Sequence, residues 1–457
     1  MNPLHFCVKH IISVDILILL TSVYTVVSLI MVSLVMLNGA YSYTSTYANQ
    51  IVLTDPSLKA DPVYQGLKFP TGMTFIGQND LLVIEKNNGT VRRIVNWSML
   101  PDILLKVNVS TIGERGMLGI ASVKNNKSST FVFLYFSESK TEDGKKPIAN
   151  RLYRYELVDN KLINPFLIFQ APIFPGPQHN GGKMTIGPDK KIYLVTGDLN
   201  PYANKSIYTQ MENRIDGASG DGRGGVLKLS QNGNSSKETN GFLGKSYPLN
   251  RYYAYGIRNS FGIDFDPVTG KLWDTENGIF KNDEINLVEP GFNSGWAKIQ
   301  GMAPRHFNQS ILFNFGGKGK YSDPEFVWKY SVGPTAIKFM NSKKLGKSYF
   351  HDLLVGDFHN GNLYFFDLDP ERTGLKLNGT LLDKIANNAT DLDNVILGKG
   401  FGGITDIEMG PDGYPYVLAL NTGGPNCPVR SQIEHCVRYS SPLEGTIYKL
   451  AKSVILR

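Results

Sequence analysis

Cysteine is scarce in this chain, 3 residues in 457, which excludes a miniprotein framed by disulfides. Glycine, at 47, is far too infrequent for a collagen repeat. Charge is sparse as well: 19% of residues, with 47 Lys plus Arg against 40 Asp plus Glu, a formal +7 spread without a long basic run. That distribution gives no nucleic-acid footprint, and no nucleic-acid partner is expected. Outside one N-terminal stretch, no long segment shows the apolar period of a helix. What is present is apolar and aromatic surface, 42% and 11% of residues, enough to build a large core and to exclude disorder over most of the chain.

The exceptional stretch reads ILILLTSVYTVVSLIMVSLVML from Ile16 to Leu37, 22 residues without a charge. It is long enough to span a bilayer and longer than the about 7 to 15 apolar residues of a cleaved leader, so a retained transmembrane signal anchor is expected. Gly39, Ala40 and Ser42 supply small residues for a cleavage site, and cleavage there would give a secreted protein. Lys9 on the short side assigns residues 1–15 to the cytoplasm and the chain beyond about 43 to the outside of the cell. The expected plan is a single-pass membrane protein: residues 1–15 cytoplasmic, 16–37 anchor, 38–65 tether and 66–452 folded domain. Nine Asn-x-Ser/Thr sequons, at Asn88, Asn96, Asn108, Asn126, Asn204, Asn234, Asn308, Asn378 and Asn388, suit a glycosylated surface protein, although an Asn-rich chain also generates sequons by chance. Cys427 and Cys436 flank a short polar insertion and are expected to pair outside the cell.

Beyond the tether one pattern recurs six times: an apolar segment, a Gly/Pro/Asp/Asn turn, then a β-branched or aromatic run. The copies begin at FPTGMTF (69 onward), GMLGIAS (116), KMTIGPD (183), FGIDFDP (261), TAIKFM (335) and ITDIEMG (404). Alternation in LLVIEK, KIYLVTG and GNLYFFDL marks strands, and Asp-Gly, Asn-Gly and Thr-Gly steps mark hairpins. Repeats of this length with several strands each predict an all-β, six-bladed β-propeller, with an array of β-sandwiches as the competing arrangement. In a propeller, loops from separate blades converge at one mouth of the central channel.

Three clusters carry possible chemistry. His179, in Gln178-His179-Asn180-Gly181-Gly182, precedes the first strand of the third unit, and Asp198 ends that unit's hairpin at Thr196-Gly197-Asp198. A carboxylate there can reach and orient the imidazole as a general base; the bland reading is a structural His capping a Gly turn. Arg258 and Asn259, in Tyr255-Gly256-Ile257-Arg258-Asn259-Ser260, offer fixed donors to an anionic or carbonyl oxygen, or an Arg that ties two blades through a carboxylate. Thr275-Glu276-Asn277-Gly278-Ile279 followed by Asp283 and Glu284 is oxygen-rich enough for a hard cation, but its spacing is not that of an EF-hand, and Asp283 and Glu284 read as turn and blade-closing residues.

The phrases FPTGMTF, GERGMLGIA, HNGGKMTIGPDKKIYLVTGD, YAYGIRNSFGIDFDPVTGKLWDTENG, DEINLVEPGFNSGWA and GPDGYPYVL occur in this order over about residues 66 to 450. Together they resemble the glucose/sorbosone dehydrogenase family. The resemblance implies a six-bladed propeller that uses pyrroloquinoline quinone (PQQ) and calcium to oxidise an aldose sugar at C1 to a lactone. It implies His179 as catalytic base, Asp198 as its orienting carboxylate, Arg258 and Asn259 on the quinone, Glu114 of GERG among the cofactor contacts, and calcium at the carbonyls of Gly278 and Ile279. In the implied reaction His179 takes the C1 hydroxyl proton while a hydride passes to the quinone, Arg258 and calcium stabilising the charge that develops. Electrons then leave for an acceptor that the sequence does not name.

The chain departs from the family pattern where a Lys and two Arg hold the cofactor's carboxylates. His359 stands at the Lys position and Gly403 and Thr405 at the Arg positions, with Lys399 a nearby substitute. Retention of His179, Asp198, Arg258 and Asn259 favours the enzyme. Loss of the three cations favours a surface propeller that binds a protein or glycan partner without redox chemistry. A calcium-dependent lactone hydrolase is disfavoured, since it needs several carboxylates facing the metal.

Overall fold

The computed structural model of the chain describes residues 51–125, 129–200, 207–233, 242–420 and 444–453. The expected anchor at 16–37, Cys427 and Cys436, and the sequons at Asn126, Asn204 and Asn234 lie outside them. Among the described residues no helix is long and apolar enough to cross a membrane.

The regular structure of the described residues is almost entirely strand, and the strands form six sheets. The four principal strands of each follow one another outward from an inner one. The third sheet runs Met184–Ile186, Ile192–Thr196, Gly225–Leu229 and Tyr252–Tyr255; the fourth runs Ser260–Phe265, Leu272–Glu276, Asp283–Val288 and Phe326–Trp328. The inner strands of the other sheets are Pro70–Gly77, Met117–Lys124, Pro334–Phe339 and Gly403–Met409.

Six apolar clusters fill the gaps between successive sheets. Trp273, Phe326 and Trp328 of the fourth pack on Tyr364 and Phe366 of the fifth. Met73 and Val83 of the first pack on Leu418 and Ile447 of the sixth, closing the ring. Each sheet therefore buries both faces against its neighbours, which is why the second strands read as continuous apolar runs such as Leu81-Leu82-Val83-Ile84. This is an all-β propeller.

Closure corrects the expected tether. Leu58–Lys68 is the outermost strand of the last sheet, paired antiparallel with Glu444–Lys452, and Val52–Leu53 pairs with Ile396–Lys399 of the fifth sheet. The folded unit thus starts before residue 66. Its burial alternates irregularly, with only Leu58 and Leu67 fully buried, because an outer strand faces solvent along one side.

Inner strands line the channel with polar groups. Thr74 Oγ1 and Ser122 Oγ are 2.9 Å apart, and Lys338 lies 3.0 Å from Glu408 and 3.5 Å from Asp264. Lys183 of the third sheet pairs with Asp406 of the sixth. Because strands alternate in direction, the loops entering the inner strands and those joining second to third strands emerge at one end. All the candidate site loops are of these two kinds.

Candidate active site

The third sheet supplies the first pair. Gly181 and Gly182 adopt left-handed φ of 65° and 113°, and a Cβ on Gly181 would sit 2.5 Å from the Val195 carbonyl, so only glycine lets this loop lie against its partner strand. His179 also has positive φ, 55°, which costs about 1 kcal/mol for a residue with a Cβ and is repaid by its contacts. Its main-chain N–H donates to Glu114 Oε2 at 2.7 Å, and its Nδ1 lies 2.6 Å from Asp198 Oδ1.

Asp198, fully buried, also accepts from the Asn200 main-chain N–H at 2.8 Å and from Trp296 Nε1–H at 2.8 Å. With these fixed donors around the carboxylate, the proton shared with His179 belongs on Nδ1, which leaves Nε2 as the basic nitrogen.

The fourth sheet supplies the guanidinium. The Asp198 N–H donates to the Arg258 carbonyl at 2.9 Å, and the Arg258 guanidinium stacks 5.6 Å from the Trp296 ring. Imidazole and guanidinium thus share one locality, built by adjacent blades. Nη1 of Arg258 donates to the carbonyls of Asn277 and Gly278 at 2.6 and 2.7 Å, while its main-chain N–H donates to Glu276 Oε1 at 2.6 Å. The guanidinium is therefore held in part by carbonyls of its own blade.

Asn259 is buried; its Nδ2 lies 3.5 Å from the same Glu114 oxygen that holds His179, and its Oδ1 is buried without a hydrogen-bond partner among the described residues. Glu114 in this way links loops of the second, third and fourth sheets.

Several carboxyls behind this site are displaced from their ordinary range. Burial lifts Glu276 to about 7, against the hydrogen bond from Ser294 Oγ at 2.5 Å. Burial, reinforced by the charge of Glu276, raises Glu284 well above the usual carboxylate range, and burial does the same to Asp274. Glu212, which caps a 3-10 turn by accepting from Thr209, is lifted to about 7 by burial, with Arg223 opposing. Lys86 is pulled down to about 8 by burial, with Glu114 opposing; its Nζ donates to the Gly113 carbonyl at 3.1 Å.

The remaining sequence candidates divide. His359 is half-buried in the corresponding loop of the fifth sheet. That loop is tied to Gly278 through Asp283, whose carboxylate accepts from the N–H groups of Gly278, Val332 and Gly333. Asp283 closes the two loops, the role its sequence position indicated.

Lys399 is a correction: its Nζ pairs with Asp393 at 2.7 Å, both side chains exposed, at the end of the otherwise buried strand Ile396–Lys399 of the fifth sheet, a contact that spends its charge there. Gly403 faces the ring of Phe358, where an added Cβ would meet it at 2.9 Å, and Thr405 Oγ1 donates to the Leu418 carbonyl. No group of three or more His, Cys, Asp or Glu able to hold a metal ion occurs among the described residues. The carbonyl of Gly278, an expected calcium ligand, instead accepts from Arg258, and Ile279 is half-buried beside it. Trp296 had no signal in the sequence beyond its glycine-flanked phrase Gly291-Phe292-Asn293-Ser294-Gly295-Trp296.

The family model for glucose / sorbosone dehydrogenase matches residues 67–426. The chain belongs to that family. Within the glucose/sorbosone dehydrogenase family it is similar to the aldose sugar dehydrogenase YliI of Escherichia coli strain K12, 25% identical over 364 residues, covering 78% of this chain and 89% of that one. It is 28% identical over 258 residues to quinoprotein glucose dehydrogenase B of Acinetobacter calcoaceticus, about half of each chain. The solved PQQ-bound aldose sugar dehydrogenase of Streptomyces coelicolor shares the fold, with a TM-score of 0.59 at 20% identity over 88% of this chain and 98% of that one. All six phrases that carried the resemblance lie in the propeller and not in the N-terminal stretch.

Proposed function

We propose that this glucose/sorbosone dehydrogenase family member is a PQQ-dependent sugar dehydrogenase that oxidises an aldose at C1, held outside the cytoplasm by its N-terminal apolar segment. The observation that carries the reading is the His179–Asp198 contact at 2.6 Å, locked by Trp296 and adjoining Arg258. The residues fit the quinone end of the cofactor at one point, the Arg258 guanidinium, a donor bordering the same locality as the base; the buried Oδ1 of Asn259, an acceptor without a partner among the described residues, would take a donor from a ligand and not a quinone oxygen. When bound, PQQ supplies the two-electron acceptor.

The chain's own part is proton chemistry and orientation. His179 Nε2 takes the C1 hydroxyl proton, since Asp198 holds the other nitrogen and stabilises the imidazolium that forms. Arg258 presents a fixed guanidinium to developing negative charge, and Glu114 keeps the His179 and Asn259 loops in register. Calcium at Gly278 fits less well, because a cation there would share its carbonyl with the Arg258 guanidinium, and no step is assigned to it.

One observation favours a second reading, a propeller that binds a protein or glycan without redox chemistry. On the fifth and sixth sheets, His359, Gly403 and Thr405 stand where a tricarboxylate needs cations, and Lys399 is spent on Asp393. The two readings separate in one experiment on the purified full chain. Micromolar PQQ should quench tryptophan fluorescence and support dye reduction by aldoses, and His179→Ala should abolish turnover while keeping the quench. Absence of any quench selects the second reading.

A further inference from the structure

A polar cleft of about 530 Å³ lies beside the first sheet, apart from the His179 site. Its lining includes Asn88 and Asn108, both exposed and both the first residue of a sequon: Asn88-Gly89-Thr90 and Asn108-Val109-Ser110. The two sequons abut, since the Val107 N–H donates to the Gly89 carbonyl at 2.9 Å. We propose that Asn88 and Asn108 carry N-linked glycans whose first sugars pack into this cleft. The proposal rests on the extracytoplasmic reading of the chain and is independent of its redox chemistry.

The lining suits such an occupant. Lys106 and Glu142 pair at 2.8 Å, so the cleft presents donors and acceptors together, as sugar hydroxyls and an acetamido group require. Ile103, 45% exposed, offers an apolar face to a pyranose ring or an acetyl methyl.

Ser110 gives independent support. It is 0% exposed, and its Oγ has no hydrogen-bond partner among the described residues. A buried hydroxyl left unpaired destabilises a fold relative to Ala, so the packing gives no reason for Ser at this position. The sequon does, because the hydroxyl is read on the unfolded chain before it is buried. Thr90 differs: its hydroxyl donates to Glu85 Oε2 at 2.7 Å and serves the fold as well. Asn88 Nδ2 reaches the same oxygen at 3.3 Å, a contact that the one N–H left after glycosylation can keep.

In the transfer, the Asn amide nitrogen attacks C1 of an N-acetylhexosamine oligosaccharide carried on a lipid pyrophosphate. The N–C1 bond forms, the C1–O bond breaks, and lipid pyrophosphate and one amide proton leave.

The test is the full chain made in a eukaryotic secretory host with a reporter sequon appended at its C-terminus. Sites are read by peptide mass spectrometry after glycosidase release in heavy-oxygen water. Asn88 and Asn108 should be tagged. From the native protein their glycans should be released several-fold more slowly than any at Asn96, Asn308, Asn378 and Asn388, which are also exposed but do not line the cleft. After denaturation the rates should be equal. Ser110→Ala should remove only the Asn108 tag and leave the melting temperature unchanged or raised. Untagged Asn88 and Asn108 overturn the proposal, whether or not the reporter is tagged. So does native release as fast as at the other sites. A melting temperature several degrees lower in Ser110→Ala overturns the argument from the hydroxyl.

Discussion

Replacing Asp198 by Asn tests the site at its most constrained atom. Oδ1 takes His179 Nδ1 at 2.6 Å and the Asn200 N–H at 2.8 Å, while Oδ2 takes Trp296 Nε1–H at 2.8 Å. An asparagine has one acceptor oxygen to offer. If its NH2 faces Trp296, two donors meet at a fully buried side chain; if it faces His179, it confronts the Asn200 N–H and forces the proton from Nδ1 to Nε2. Either way one hydrogen bond to a charged group is lost, about 1.5 to 3 kcal/mol, and at about 1.4 kcal/mol per tenfold this predicts turnover reduced by roughly 10- to 150-fold. The flipped orientation predicts more, because Nε2 would then carry a proton and accept none. Two measurements check it: dye-coupled aldose oxidation by the PQQ-loaded full chain, and nitrogen chemical shifts of ring-labelled His179. The wild-type shifts should report a proton on Nδ1. A wild-type proton on Nε2, or a folded D198N variant with turnover within about twofold of wild type, would refute the reasoning.

Glu212→Gln should flatten the pH dependence of stability. A folded carboxyl raised from 4.5 to about 7 contributes stability that is fully present below pH 4.5 and lost as pH rises through about 7, a span worth roughly 3 kcal/mol, so E212Q should lose less urea resistance than wild type over that window by about that amount, Glu276 and the other raised carboxyls accounting for the loss that remains. Parallel midpoints across that window would show that Glu212 is not the group responsible. Gly181→Ala should cost more than about 1 kcal/mol of stability, from its left-handed φ and the Val195 carbonyl 2.5 Å from the new Cβ, read as a fall in melting temperature. Leu67→Ala, in the closing strand, should cost about 2 to 5 kcal/mol in urea unfolding, the range for a fully buried leucine; a loss under 0.5 would mean that this strand does not close the ring.

The repeating frame was legible because each inner hairpin combines glycine-rich turns with apolar runs buried on both faces. His179 and Asp198 were legible because they sit at the two ends of one such hairpin, Met184–Ile186 with Ile192–Thr196, so spacing along the chain is nearly spacing in the fold. Trp296 was not, since it reaches Asp198 from an excursion of a different blade, 98 residues away. The closing strand escaped for a different reason: Leu58-Lys59-Ala60-Asp61-Pro62 is polar because an outer strand is wetted on one side, which in sequence looks like a tether. Lys399 looked like a substitute cation by proximity in sequence, yet the strand that carries it ends on the outer surface, beside Asp393. The displaced carboxyls of Glu212 and Glu276 had no sequence signal, because burial by neighbouring blades produces the shift.

These contacts divide the mouth into unequal halves. Loops of the second, third and fourth sheets are cross-linked through Glu114, Asp198 and Trp296, so His179, Arg258 and Asn259 are set before any ligand arrives. A loop of the fifth sheet carries an imidazole, and the start of the inner strand of the sixth carries a glycine against an aromatic ring and a threonine turned to a carbonyl, which offer little charge to an anion. A tricarboxylate seated here would be oriented by the first half and only weakly attracted by the second, so its affinity should fall well short of what three charge-assisted contacts of about 1.5 to 3 kcal/mol each provide. A neutral ligand loses nothing on that side. The preorganised half is what proton abstraction requires; the weakly charged half makes retention of the cofactor, and not the base, the step on which the redox assignment turns.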